Sequence, residues 1–491
     1  MALKTAEQYV DSLRQLKICA YVGGERVHSL VDHPAIAPHI NTVAKTYELA
    51  HQAEHREVMT AISHLSGERV HRYTHIFQSA DDLVKKIQML RLLGQTTGTC
   101  FQRCVGLDAL NALYATSFEI DQGEGTGYHQ RFCDYLLRVQ REDLMLAGAM
   151  TDPKGHRAKK PSEQADPDQF VHVVERRPDG VVIRGAKLHN TGGINSHEIL
   201  VLPGTGLAAG EKDYAIACAV PAEAPGVVFI FGRQSNDTRK LEGGCDIGNP
   251  RFGVVGGEAM VVFDNVFVPN EHIFMNGETQ YCGGLVTYFA TWHRANYGGC
   301  KGGNADVLIG ATAKMTRILG TDRNAVVRDK LTEMIHMNET TYASAIGAGA
   351  MGYRLPCGSY MFDPMMSNTV KQNITRNVYQ ISRLAHDLAG GFLATMPDQK
   401  ALENPEIGAY VKKYHTANPD YDVMERIRMG RYIENMTSVT SMVESMHGAG
   451  SPQAQRIVML GLAGIEAKIK MAEQVISGTD DVKGIALPKS N

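Results

Sequence analysis

Two pairs of metal-capable side chains stand at helical spacing in this 491-residue chain. Cys100 and Cys104 are four residues apart in Cys100-Phe101-Gln102-Arg103-Cys104, a stretch with helical character that would put both sulfurs on one face. His293 and Cys300 are seven residues apart, two helical turns, and again share a face. Two such helices facing each other could present three thiolates and an imidazole to one metal centre. A Cys₃His set suits zinc as well as an iron–sulfur cluster, and the spacing leaves the metal open. Each cysteine also has a plain alternative reading as a small apolar core residue.

The elements that must carry these side chains fall into three regions. Residues 1–146 have helical periodicity, as in Asp82-Leu83-Val84-Lys85-Lys86-Ile87-Gln88-Met89-Leu90, and read as an N-terminal helical domain. Between 147 and 275 the texture changes to short runs rich in β-branched and aromatic residues. Examples are Phe170–Val174, Gly180–Arg184, Gly226–Phe231 and Ala259–Phe263, which predict a middle antiparallel β domain. Pro178-Asp179-Gly180 marks a turn between two of them, with Pro presetting φ and Gly accepting a positive φ. From 276 to 491 the helical pattern returns, with long segments at Asp329–Ala350 and Val370–Ala389, and predicts a C-terminal helical bundle ending in a loosely held tail, Thr479–Asn491.

Composition narrows the function classes. With 43% apolar residues the chain can bury a large core, and a formal charge of −3 provides no dominant positive field for nucleic acid or an acidic membrane. The N-terminus lacks the pattern of a signal peptide, and no apolar run is long enough to span a bilayer, so a cytoplasmic location is expected. Nine cysteines, an odd and scattered set that includes Cys245, predict reduced thiols or metal ligands rather than a disulfide framework.

The segment Leu92-Leu93-Gly94-Gln95-Thr96-Thr97-Gly98-Thr99-Cys100-Phe101-Gln102-Arg103-Cys104 resembles the cluster-binding segment of the 4-hydroxybutyryl-CoA dehydratase/vinylacetyl-CoA Δ-isomerase family. Other matches are Met150-Thr151-Asp152-Pro153-Lys154-Gly155, Asn190-Thr191-Gly192, Tyr297-Gly298-Gly299-Cys300-Lys301, Lys371-Gln372-Asn373-Ile374-Thr375-Arg376, Asp387-Leu388-Ala389-Gly390-Gly391 and Glu444-Ser445-Met446-His447-Gly448-Ala449-Gly450. The middle-domain motifs are shared with flavin-dependent 4-hydroxyphenylacetate monooxygenases. The cysteine and histidine set, with Glu444, points to the dehydratase.

This resemblance implies an α+β, acyl-CoA dehydrogenase-like fold, a homotetramer, FAD and a [4Fe-4S] cluster. Cys100, Cys104, His293 and Cys300 would ligate the cluster. Thr191 would lie near the flavin N5, with Met150, Thr151, Arg157 and Asn190 along the isoalloxazine, and Gln372, Asn373, Gly390 and Gly391 holding the rest of FAD. Dehydrating a 4-hydroxyacyl thioester is hard, because the C3 hydrogen is not acidified by the carbonyl. The family solution, so implied, removes the acidic C2 proton, uses FAD to take one electron, then loses the C3 proton and expels hydroxide from a ketyl-type radical. His293 would be the C2 base on loosening from iron, Tyr297 would donate to the departing oxygen, and Glu444 would be the partner for proton transfer. Lys301 and Glu258 would tune charge, and Gln102 would touch the site. Competing readings are a flavin monooxygenase of the hydroxyphenylacetate type, an ordinary acyl-CoA dehydrogenase, and a non-catalytic zinc or cluster-binding protein.

Overall fold

The computed structural model describes residues 3–232, 249, 251–253 and 255–478; Cys245 and the tail 479–491 lie outside these. Five principal helices precede the sheets: Ala6–Gln15, Ala37–Ala50, Ala80–Thr97, Cys104–Glu124 and Tyr128–Glu142. The region is not wholly helical. Ala20–Val22 and Glu25–Arg26 form a hairpin across Gly23 and Gly24, both at positive φ, and Ala20–Val22 pairs in parallel with Val227–Phe231. A short hydrophobic run next to a glycine pair thus closes the edge of the middle sheet instead of extending a helix.

Two sheets make up the middle of the chain. One has six strands, with Ala259–Pro269 between Val227–Phe231 and Gly180–Asn190, and His172–Arg177 at one edge. The other orders Ile273–Asn276, Ile216–Pro221, Glu198–Val201 and Leu146–Ala149. Pairing is antiparallel except for Ala20–Val22 with Val227–Phe231 and Leu146–Ala149 with Glu198–Val201, which are parallel. Pro178 and Asp179 form the expected turn, but Gly180 is not at positive φ. It is needed because a Cβ there would come 2.2 Å from the Val268 carbonyl oxygen of the neighbouring strand.

Helices Thr279–Ile318, Ala325–Ala350 and Pro364–Ala389 then form the frame of a bundle, completed by Val423–Met436, Val439–His447, Pro452–Leu462 and Ile465–Ser477. Thr279–Ile318 is 40 residues long although it contains Gly298, Gly299, Gly302 and Gly303, each costing about 1 kcal/mol of helix propensity relative to Ala. Tertiary packing offsets that cost. A Cβ on Gly303 would sit 2.3 Å from the Arg91 carbonyl oxygen, and one on Gly94 would sit 2.7 Å from that of Cys300. Backbone therefore lies against backbone where this helix crosses Ala80–Thr97. The crossing is pinned by Arg91, whose Nε and Nη2 donate to Asp306 at 2.9 and 3.0 Å and whose Nη1 donates to Glu339 at 3.0 Å on the adjoining helix.

Gly303→Ala should lower stability by about 1–3 kcal/mol, because its close neighbours are backbone atoms that cannot step aside. Gly310→Ala, on the same helix but facing open space, should leave stability unchanged or raise it by up to about 1 kcal/mol. Thermal unfolding of the two variants checks this; equal melting temperatures would refute the close-crossing account.

Candidate active site

Cys100 and Cys104 do not share a helical face. Helix Ala80–Thr97 stops at Gly98, which adopts the left-handed conformation at φ 63°, and Cys100 lies in the connection that follows. Cys104 is the first residue of Cys104–Glu124. Between them Gln102 has φ 68°, an unfavourable conformation for a residue with a Cβ, and it is held there by hydrogen bonds. Its Nε2 donates to the His39 carbonyl at 3.1 Å and its Oε1 accepts from Asn195 Nδ2 at 3.0 Å. Gln102 thus shapes the cysteine turn, with its side chain committed to protein partners.

His293, Tyr297, Cys300 and Lys301 do share one helix, Thr279–Ile318. The His293 ring stacks on Phe289 at 5.3 Å between centroids and meets Tyr297 edge-on at 5.7 Å. Its Nδ1 is 2.8 Å from Asp108 Oδ2. Asp108 is fully buried and also accepts from Asn296 Nδ2 at 2.6 Å and from Lys86 Nζ at 2.5 Å.

The three sulfurs occupy one electrostatic neighbourhood. Burial pushes the Cys104 thiol up, and Cys100 and Cys300 push it further. Burial raises Cys100 too, with Glu444 adding to the effect and Lys301 opposing it, and Cys300 is pushed up to about 11 by burial against the same lysine. Tyr297 is raised by burial and by Glu444 and all three sulfurs. Among the described residues no three His, Cys, Asp or Glu side chains converge on a point as around a single ion.

Lys301 and Glu444 form a direct ion pair. Burial alone would lower the Lys301 ammonium, but Glu444, Cys300 and Cys100 together outweigh it and raise the group. Lys371 sits 3.6 Å over the Tyr297 ring and donates to the Ser445 carbonyl at 2.5 Å; burial brings it down to about 7. Gly448 lets the chain after Glu444 pass over the phenol, since a Cβ there would fall 1.7 Å from the Tyr297 oxygen. Glu258 accepts from Thr191 Oγ1 at 2.8 and 2.9 Å, and burial pushes its carboxyl up to about 7. A Cβ on Gly256 would come 2.4 Å from Thr191 Cγ2, 2.9 Å from Glu258 Oε1 and 3.3 Å from Cys100 Sγ, which joins this pair to the cysteine turn.

The other expected residues divide by location. Asn190 is fully buried, and its Oδ1 has no hydrogen-bond partner among the described residues. The Met150 and Thr151 carbonyls accept from Lys187 Nζ at 3.2 Å and Leu188 N at 2.8 Å. Gln372 is bonded to Gln455 at 2.8 Å and to the Pro452 carbonyl at 2.9 Å, while Asn373 is half-buried. Arg157, Gly390 and Gly391 are exposed, and the space beside both glycines is open. They are not gathered into the buried cluster of this chain. A cavity opens against Cys100 and Lys301 and runs between the long helices, walled by Leu308, Met337, Ile374, Ile381 and Met442.

The sequence reading passed over Asp108, Lys86, Asn296 and Lys371. One signal was available for Asp108, the lone charge in the mostly apolar Val105–Ala115 segment, where burial requires a partner.

Residues 5–275 match the family profile "4-hydroxyphenylacetate 3-hydroxylase N terminal" and residues 282–477 its "C terminal" counterpart. The chain is 27% identical over 441 residues to a Thermus thermophilus 4-hydroxyphenylacetate 3-monooxygenase oxygenase component, covering 88% of each. It is 48% identical over 487 residues to 4-hydroxybutyryl-CoA dehydratase/vinylacetyl-CoA-Δ-isomerase of Clostridium aminobutyricum, covering 96% of this chain and 99% of that one. A solved archaeal 4-hydroxybutyryl-CoA dehydratase from N. maritimus, described as oxygen tolerant, superposes with a TM-score of 0.95 at 46% identity, over 98% of this chain and 96% of that one. With such identity along nearly its whole length, the chain belongs to the 4-hydroxybutyryl-CoA dehydratase/vinylacetyl-CoA-Δ-isomerase family.

Proposed function

We propose that the protein dehydrates 4-hydroxybutyryl-CoA to crotonyl-CoA and also isomerises vinylacetyl-CoA. The observation that carries this reading is the grouping of three thiols, Cys104 buried and Cys100 and Cys300 half-buried, with a carboxylate-anchored imidazole and the Lys301–Glu444 pair, in a chain of this family. A monooxygenase has no use for that donor set.

The donors fit a [4Fe-4S] cluster. Three thiols near enough to shift one another's charge, with an imidazole on the same helix as one of them, are donors of the type such a cluster takes. Cys100, Cys104, His293 and Cys300 would be the ligands. FAD fits beside Asn190, whose unpartnered buried oxygen awaits a donor, and beside Thr191, with Met150, Thr151 and Arg157 nearby. Gln372, Asn373, Gly390 and Gly391 would hold the remainder of FAD from another subunit, which accounts for the open space beside both glycines. When bound, the flavin supplies one-electron chemistry and the cluster a Lewis acid, neither of which side chains provide.

The remaining work belongs to the chain. The apolar cavity, which reaches Cys100 and Lys301, takes the acyl thioester and excludes water from it. His293 removes the C2 proton. The Tyr297 phenol, beneath the Lys371 ammonium, donates to the departing hydroxyl. Lys301 and Glu444 act as one unit that balances charge and returns a proton at C4, and Glu258 with Thr191 sets the charge beside the flavin. The same proton removal at C2 and delivery at C4 moves a 3,4 double bond to the 2,3 position. Assembly as a homotetramer would cover the exposed apolar side chains Val439, Ile457, Leu460, Ile465, Ile469 and Val475 on the last helices.

Anaerobically purified protein should contain about four iron and one FAD per chain and form crotonyl-CoA from 4-hydroxybutyryl-CoA; flavin without iron would sink the dehydratase reading. Glu444→Gln and Lys301→Gln should each lower kcat by about 10²-fold or more, and the double variant should be little worse than either, since the two act as one unit. Fully additive losses would refute the coupling. Light scattering should give the mass of four chains, and a monomer would contradict the shared flavin site.

A further inference from the structure

Asp108 is the most heavily engaged carboxylate next to the candidate ligands. It is fully buried, as is Lys86, and each of its oxygens has a separate duty. Oδ1 accepts from Lys86 Nζ at 2.5 Å, and Lys86 also reaches the Trp292 carbonyl at 3.4 Å. Oδ2 faces His293 Nδ1 at 2.8 Å and accepts from Asn296 Nδ2 at 2.6 Å. Phe77 and Phe362 flank the ammonium at 5.0 and 5.3 Å, so that side of it is apolar. A carboxylate accepts hydrogen bonds and cannot donate them. A short contact to Nδ1 therefore requires the proton to be on Nδ1.

We propose that Asp108, held by Lys86, is the positioning residue that fixes His293 as the Nδ1–H tautomer and leaves Nε2 as the nitrogen available to the metal and to the substrate. This rests on the dehydratase reading and assigns the atoms within it. A metal-binding imidazole depends on the partner of its other nitrogen for orientation and tautomer. The Phe289 stack and the Asn296 amide leave the ring little freedom to turn away. Proton removal requires the Nε2 lone pair to be free rather than engaged as a ligand: the C2–H bond breaks, its electron pair stays on C2 as the thioester enolate, and the proton goes to Nε2. The resulting imidazolium then donates from Nδ1 to Asp108, as in catalytic triads.

The role of Lys86 makes the proposal testable. In Asp108→Asn the Lys86 ammonium keeps the amide oxygen on its own side, so the amide NH₂ turns toward His293. Nδ1 must then accept, the ring becomes Nε2–H, and that nitrogen neither ligates nor takes a proton. Removing the ammonium as well, in the Lys86→Met/Asp108→Asn double variant, frees the amide to turn its oxygen back toward His293, where Asn296 Nδ2 holds it.

The experiment uses full-length, anaerobically purified protein with ¹⁵N-labelled histidine. Double-resonance spectroscopy of the reduced cluster reads the histidine-nitrogen coupling, and deuterium exchange at C2 of the bound thioester reads proton removal. Asp108→Asn is expected to keep its fold and flavin, lose the coupling and slow exchange by on the order of 10³–10⁴-fold. The double variant is expected to recover part of both. Wild-type coupling and exchange in Asp108→Asn, or no recovery in the double variant, would overturn the proposal. A wild-type protein whose cluster shows no histidine nitrogen, or that holds no iron, would instead count against the dehydratase reading. In that case the imidazole ¹⁵N shifts of the full chain decide: Nδ1–H in wild type and Nε2–H in Asp108→Asn uphold the Asp108 role, and an unchanged tautomer overturns it.

Discussion

The candidate site depends on one backbone crossing. Helices Ala80–Thr97 and Thr279–Ile318 touch through Gly94, Gly299 and Gly303 so closely that a methyl group at any of them would collide with main chain. The cysteine turn begins where the first of these helices ends, and His293, Tyr297, Cys300 and Lys301 are carried by the second. Separation of the two helices would move Cys300 and His293 away from Cys100 and Cys104 together. The glycines therefore give up helix propensity in exchange for a fixed relation between candidate ligands at least 189 residues apart in sequence.

The same region concentrates buried charge. Lys86 with Asp108 and Lys301 with Glu444 are paired, while Glu258 leans on a threonine hydroxyl and Lys371 on an aromatic face and a carbonyl. Desolvation moves Glu258 and Lys371 toward neutrality from opposite directions, both to about 7. Burial is the largest cause in both cases, so the two groups are perturbed by the same packing that brings the helices together.

The relation to the hydroxyphenylacetate monooxygenases separates fold from chemistry. The helical and sheet framework is common to both, as the profile matches over residues 5–275 and 282–477 indicate. The thiols and the Asp108-anchored imidazole are a matter of a few side chains set on that framework. The stronger match to the dehydratase relatives, 48% against 27%, runs along the entire chain rather than in the site alone.

Periodicity and local chemistry sufficed for much of the architecture. The long helices of the C-terminal part, the strand runs at Gly180 and Ala259, and the turn at Pro178 and Asp179 follow from patterns within ten or twenty residues. So did the shared face of His293, Tyr297 and Cys300, because one uninterrupted helix sets that geometry. Where an outcome depended on contacts distant in sequence, local pattern misled. The Cys100–Cys104 segment looked helical, yet Gly98 ends the preceding helix and the Gln102 hydrogen bonds to His39 and Asn195 hold a left-handed turn there. Gly180 serves a neighbouring strand rather than its own φ, and Lys86, beside the surface residue Lys85, points inward to a carboxylate 22 positions on. The sequence by itself determined which helices and strands form and which family the chain resembles, because those rest on local periodicity and motif. Only the tertiary structure decided which charges are buried and whom they face, because desolvation and hydrogen-bond partners exist only once distant segments have packed.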